Sequence, residues 1–475
     1  MSDDLPSAAP PRGGPPQRGD LTQGPIFKTL ALFALPVLLG NVLQSLNASI
    51  NTVWVGRLLG EDALAATASS NIVMFLVFGA IFGISMATTV HVGQNFGARN
   101  FDQMRKSFGA GLGLCVMLSA AIAVLGWIGA PALLHRMNVP GPSYHFALEY
   151  LRVIFLVIPS MTVTVLVTSA MRGCGDSRSP LYFQILTIVL DITLNPLFIA
   201  GVGPFPKLGI VGAAVATAIA TLTGLTGLMG WLYWRDLPIR LKGRELRYLW
   251  PAADELKYLV LKGFPMGLQM LIISGAGVIM LSLINKEGTN FAAGYGVLLQ
   301  LWNYIQMPGL ALSAAVGAMV AQHIGARCEA RVDRISWAGA AANTALTLVL
   351  VALMLIFATP LLTLFLGNGS PAIPVAQHIQ HMAIWTYVPF GVTIVLFGSL
   401  RSYGAVLVQI LVLLASMYGV RLGVYYALYP RIGPDALWWS LTISSVVSMG
   451  LTLLAYYRHP WRAKMLARVA EEAVA

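Results

Sequence analysis

The chain has 475 residues, of which 57% are hydrophobic and only 10% charged, and its formal net charge is +11. Soluble domains carry about 25% charged residues, so this chain lacks the ionic side chains to coat a water-exposed surface, and a soluble enzyme is excluded. The basic residues sit in short connectors between apolar stretches and form no basic domain, which argues for membrane topology and against nucleic acid as a partner.

In chain order, residues 1–26 are rich in Pro and Gly with no apolar run, and read as a disordered cytoplasmic tail, not a signal peptide. Twelve apolar stretches follow, at 28–53, 64–90, 107–130, 148–171, 180–201, 209–233, 256–284, 291–318, 337–366, 380–399, 403–429 and 436–457. Each is long enough to cross a hydrocarbon core about 30 Å thick as a helix. The fold class expected is therefore all-α integral membrane, with twelve transmembrane helices and both termini on one side. Placing the termini in the cytoplasm puts 23 Lys and Arg inside and six outside, with Arg421 within a span. That excess sets the orientation expected in an inner membrane. Segment 235–262 reads as a long cytoplasmic connector with an amphipathic surface helix presenting Tyr248 and Trp250, and 461–475 as a second cytoplasmic tail. Cys115, Cys174 and Cys328 have no zinc or disulfide spacing.

A shift of about 229 residues brings Pro36 onto Pro265, Gln94 onto Gln322, Gly97-Ala98-Arg99 onto Gly325-Ala326-Arg327, Pro159 onto Pro389 and Arg172 onto Arg401. The chain is a duplication of a six-helix unit. Two halves that start on the same side are parallel repeats, with the substrate path between them. The expected division is an N-lobe at 27–240 and a C-lobe at 241–460.

Ionisable residues within spans are costly and point to function. Asp191, in IVLDITLNPLF, lies about eleven residues into the fifth span, roughly 17 Å along a helix, close to mid-bilayer. A carboxyl desolvated there suits proton uptake and release, and Asn195, one turn on, is placed to hydrogen-bond it. A purely structural role, tying helices together, is the alternative. Arg421 holds the repeat-related place in the second half, where it either faces Asp191 across the gap or snorkels to the outer surface. Gln44, Asn47, Asn51 and Asn71, with Gln269, Gln300, Asn303 and Gln306, are amides that lipid should not touch. Singly they suit interhelical hydrogen bonds, and together they suggest a wet cavity. Phe33, Met74, Phe75, Met270, Trp302, Tyr304 and Met307 offer either plain packing or an adaptable apolar surface for lipophilic cations. His378 and His381 have helical spacing but no Cys, Asp or Glu close in sequence, so no metal site is expected.

Several motifs in order, VWVGRLLGEDALAA (53–66), VGQNFGARN (92–100) with its echo VAQHIGARCE (320–329), AMRGCGDSRSP (170–180), LDITLNP (190–196) and LGIVGAAVAT (208–217), are similar to those of the MATE (multidrug and toxic compound extrusion) transporters. The Trp438-Trp439 pair also resembles the family's last span. The resemblance covers about 26–465 and implies a V-shaped pair of six-helix lobes exporting amphipathic, often cationic compounds in exchange for protons or sodium ions, with no cofactor. It further implies that Asp191 matches the acidic residue of the family's fifth helix and Asn195 the asparagine after it. Asn51 stands where most bacterial relatives have aspartate, and the seventh span lacks the glutamate many relatives use; Gly423 replaces a common proline. Losing a carboxylate weakens a sodium site more than a proton site, so proton coupling is expected, with sodium as the alternative. A monomer in the lipid bilayer acting on a small amphipathic molecule is the expected unit. A lipid-linked precursor flippase would need a basic cavity, for which only Arg421 is available. A membrane enzyme would need a metal-binding acidic pair or a nucleophile with a base, and neither is evident.

Overall fold

The computed structural model describes residues 19–136, 141–203 and 205–458. The expected tail at 461–475 lies outside the described residues, as do residues 1–18 of the first. In the first half run α1 (Ile26–Leu59), α2 (Glu61–Gly97), α3 (Phe101–Arg136), α4 (Gly141–Gly173), α5 (Arg178–Ala200) and α6 (Ile210–Trp234). In the second run α7 (Ala253–Asn285), α8 (Thr289–Gly325), α9 (Val332–Ile356), α10 (Ala358–Leu366), α11 (Ala372–Ala383), α12 (Tyr387–Ser402), α13 (Val406–Leu413), α14 (Arg421–Ile432) and α15 (Asp435–Arg458). Among the described residues, eleven helical segments are long and apolar enough to span a membrane. With α2, whose residues 63–90 include no Asp, Glu, Lys or Arg, they make the twelve.

Helices are what a lipid solvent permits, because each backbone donor and acceptor must be satisfied within its own segment. Leu125, Ile128, Leu156, Phe264 and Leu411 stand exposed on their outer faces, as a bilayer-facing belt requires. The ninth span is broken at Phe357, two residues before the Thr359-Pro360 step; proline disfavours helix in the residue before it and donates no N–H. The eleventh passes through a wide π-helical turn at 414–420 immediately before Arg421.

The halves pack as two lobes joined at one end. At the far halves the cores are separate: one gathers Val55, Ile81, Leu151 and Ile158 of the first lobe, the other Ile284, Leu298, Trp302 and Trp438 of the second. At the near end the cores fuse, with Leu30, Phe33 and Val37 of α1 packed among Ala315, Val316 and Val395, and Ala87 and Ala110 against Leu259 and Met266. This closed end carries Gly19 and the C-terminus of α15, where the Tyr456 hydroxyl donates to Asp333 at 2.7 Å.

The repeated GAR motifs build the closure. Arg99 and Arg327 both take left-handed backbone (φ 57° and 55°) and end α2 and α8 in the same way. Gln94 Nε2 donates to the Ser402 carbonyl at 2.7 Å, and its counterpart Gln322 Nε2 to the Gly173 carbonyl at 2.9 Å, each reaching into the other lobe. Gly97 sits on the Gln322 carbonyl and Gly325 on the Gln94 carbonyl so closely that neither place has room for a Cβ. The first tail was expected to be disordered to residue 26, but Gly19–Gly24 straps this clasp. Leu21 N–H donates to Gln322 Oε1 (2.9 Å), and Arg331 donates to the Thr22 and Gly24 carbonyls (2.9 and 2.6 Å). Gly19 meanwhile abuts Cys174 and Gly175 of the first lobe.

The connector is shorter than expected, because α7 already begins at Ala253. In place of an amphipathic α-helix it has a 3₁₀ turn at Gly243–Leu249, seated on Gly109 and Gly113 of α3 and tied by Arg105 Nη1 to Glu245 (2.8 Å). Packing of the first lobe thus extends to Leu249, beyond the expected boundary at 240. Trp250 is 80% exposed, as an interfacial side chain would be.

Candidate functional site

The i, i+4 spacing of Asn47 and Asn51 on α1, and of Asp191 and Asn195 on α5, turns each pair to one helix face, and the two faces meet. Asn47 and Asn51 Nδ2 donate to Asp191 Oδ2 at 2.8 and 2.7 Å. Asn195 Nδ2 and the Thr217 hydroxyl of α6 donate to Oδ1 at 3.2 and 2.9 Å. Asn195 also donates to Asn51 Oδ1 at 3.1 Å. Asp191 is 3% exposed and Asn195 1%.

Two carboxylate oxygens have about four acceptor positions, and four donors fill them. Three donors are amides whose other end is an acceptor, and Asn47 Oδ1 and Asn195 Oδ1 are buried without a partner. Rotating one amide would therefore satisfy a protonated Asp191, or turn further oxygens toward a cation. Thr217 was not singled out from the sequence; its signal was its place on α6 within LGIVGAAVAT.

Arg421 occupies the corresponding cleft of the second lobe. It is 8% exposed, donates from Nε to Ser444 of α15 at 3.1 Å, and borders a crevice with Ala276, Met280, Met417 and Tyr425. It neither faces Asp191 across the gap nor snorkels outward. Its helix starts from the π turn at 414–420, and the guanidinium enters its own bundle between α7 and α15.

The remaining amides separate into two groups. Gln269 is interhelical, donating to Gln409 at 2.8 Å, with Gln409 in turn donating to the Phe397 carbonyl at 2.9 Å. Gln44 is exposed and accepts from Gln184 at 3.3 Å. Asn71, Gln300 and Asn303 are exposed, and Gln306 lies within hydrogen-bonding reach of Tyr387. On α8, helical periodicity puts Asn303 on the face of Ala321, which packs against Gly93 of α2, so Asn303 looks toward the first lobe above the closure.

Of the apolar candidates, Met74 and Trp302 are buried in lobe cores, Phe33 in the fused core of the closed end, and Met307 is buried on α8, whereas Met270 and Tyr304 are half-buried. The side chain of Phe75 lies outside the described residues. His378 does meet a carboxylate, Asp435 of α15, at 2.8 Å, while His381 bonds the Gln377 carbonyl. No group of three metal-ligating side chains occurs among the described residues. Sequence reasoning missed two buried carboxylates, Glu255 and Glu329, because it assigned both to connectors.

The MatE family model matches twice, at 36–197 and 265–427, which are the two repeats. The chain is 32% identical to the probable multidrug resistance protein YoeA of Bacillus subtilis, covering 94% of this chain and 96% of that one. It is 31% identical to the probable multidrug resistance protein YpnP of the same organism, covering 94% and 98%. Its fold is similar to an outward-facing multidrug resistance MATE family transporter, with a TM-score of 0.87, 20% identity, and 96% and 100% of the two chains covered. Two matched repeats, two lobes closed at one end and a multi-pass helical membrane architecture agree: the chain belongs to the MATE family of multidrug efflux transporters.

Proposed function

We propose that the protein is a secondary antiporter that exports amphipathic, cationic compounds in exchange for protons, with Asp191 as the coupling group. The supporting observation is a buried carboxylate at mid-helix whose donors can rearrange to satisfy either protonation state. When Asp191 is ionised, Asn47, Asn51, Asn195 and Thr217 donate to its two oxygens. In the protonated state the O–H turns to an amide oxygen, and the altered network biases the rocking of the lobes.

The distribution of Lys and Arg supports a bacterial inner-membrane orientation with both termini, and the closed end, in the cytoplasm. Substrate then leaves through the gap bordered by Asn71, Gln300, Asn303 and Gln306, with the protein acting as a monomer. The separated far cores and fused near cores support this outward-open reading. Arg421, turned into its own lobe, gives a lipid-linked phosphate no basic cavity and disfavours the flippase reading.

A second reading is sodium coupling. The unpartnered Asn47 and Asn195 oxygens favour it, since with Asp191, Asn51 and Thr217 they bring five oxygen-bearing side chains together. The test is ethidium flux in proteoliposomes under a pH gradient and, separately, a sodium gradient. Flux driven by pH alone is expected; flux driven by sodium alone would transfer the site to the second reading.

A further inference from the structure

Among the described residues no carboxylate lines the Arg421 cleft of the second lobe, yet that lobe contributes one to the interlobe contact. Glu255 lies in the first turn of α7 and is 7% exposed. Its Oε1 accepts from Gln103 Nε2 of α3 at 2.5 Å, and its Oε2 lies 3.4 Å from Nδ1 of His91 on α2. The His91 ring stacks on Tyr258, one helical turn beyond Glu255, with centroids 4.1 Å apart and planes 29° apart. Two residues of the first lobe and two of the second thus meet on the closed side.

The neighbouring charges are occupied elsewhere. On α3, Asp102 pairs with Lys106 and accepts from Tyr248, and Arg105 pairs with Glu245. On α7, Lys262 donates to the Gly404 carbonyl, and Asp254 and Lys257 are exposed. On α12, Arg401 bonds Ser313; on α8, His323 Nδ1 faces the Met319 carbonyl. His91 and Glu255 therefore find their charge partner in each other, across the lobe boundary. Arg172, half-buried near the end of α4, has no carboxylate partner within ion-pair distance among the described residues.

We propose that His91 and Glu255 form a second, proton-responsive site that reports closure of the lobes. Closed lobes hold His91 Nδ1 3.4 Å from Glu255 Oε2, close enough for an imidazolium and a carboxylate to attract, and parting the lobes would separate them. By linkage, a proton on His91 stabilises the closed arrangement, and deprotonation loosens it. Imidazole is the side chain that most readily gains or loses its charge near neutral pH, and the attraction to Glu255 exists only in its charged form. The site is separate from Asp191: it lies at the closed end and does not rest on the coupling role proposed above.

The experiment measures spin-label distances across the closed end, using R178C on α5 and R334C on α9 in full-length protein in nanodiscs, with Cys328 replaced by serine. Asp191→Asn is present throughout, so that titration at the first site cannot contribute. Between about pH 5 and 8 the ratio of short to long distances should fall about 5-fold or more, and Glu255→Gln and, separately, His91→Gln should each flatten that dependence. Glu255→Gln keeps an oxygen for Gln103, and His91→Gln carries the test if the first variant does not fold. Tyr258→Phe, which keeps the stacked ring, should retain the dependence. A pH response that persists unchanged in both His91 and Glu255 variants, or no response in the parent, would overturn the proposal whatever the fate of Asp191.

Discussion

The two repeat-related clefts make an instructive contrast. The cleft between α1, α5 and α6 holds a carboxylate fully surrounded by donors from three helices. The cleft between α7, α14 and α15 holds a guanidinium with a serine and aromatic neighbours. The backbone plan survived duplication while the charge at its centre was inverted. The closing clasp went the other way: Gln94 with Gly97, and Gln322 with Gly325, make the same two contacts reciprocally. A gate must fit both lobes at once and so tolerates little divergence, whereas a cleft inside one lobe is free to specialise.

The largest expected effect is at the acidic cleft. Asp191→Asn keeps the shape but cannot ionise, and pH-driven ethidium flux should fall to that of protein-free liposomes. Gly325→Val comes next, because a Cβ there meets the Gln94 carbonyl. Overpacking costs about 1–3 kcal/mol, so the closed-to-open ratio read by spin-label distances should drop roughly 5- to 150-fold.

Thr217→Val removes one of the four donors, a hydrogen bond worth about 1 kcal/mol net, and should lower pH-driven flux roughly 5-fold while leaving expression unchanged. The symmetry of the gate can be tested with Gln322→Ala against Gln94→Ala. Both should weaken closure, but Gln322 more, since it also holds Gly19 and Leu21 of the strap. Equal effects would mean that the strap adds nothing.

The smallest effect is expected at Arg421→Met. A buried charge replaced by an apolar chain of similar length is often neutral or mildly stabilising, so the melting temperature should hold or rise and pH-driven flux should persist. Loss of flux as complete as in Asp191→Asn would make the two clefts functional equals and break the contrast.

Much of the architecture was legible in the sequence because lipid imposes a simple code. Apolar runs of spanning length became helices, and the echo of GQNFGAR in AQHIGAR became two identical helix ends. Asp191 and Asn195 were visible as polar residues one turn apart in an apolar helix, and their partners Asn47 and Asn51 show the same spacing. Joining the pairs required knowing that α1 lies on α5, a tertiary fact. Thr217 was hidden because threonine in a membrane helix usually bonds its own backbone, as Thr162 and Thr187 do here. Glu255 was hidden because charge near a span end reads as connector, and only the packing of α7 on α2 buries it. Arg421 misled because depth along a helix does not say which way a side chain turns.

The most direct test of the coupling claim is proton release when ethidium is added to purified protein in weakly buffered solution, with wild type and Asp191→Asn side by side. The account predicts saturable release from the wild type and none from the variant. Equal release from both would contradict Asp191 as the coupling group.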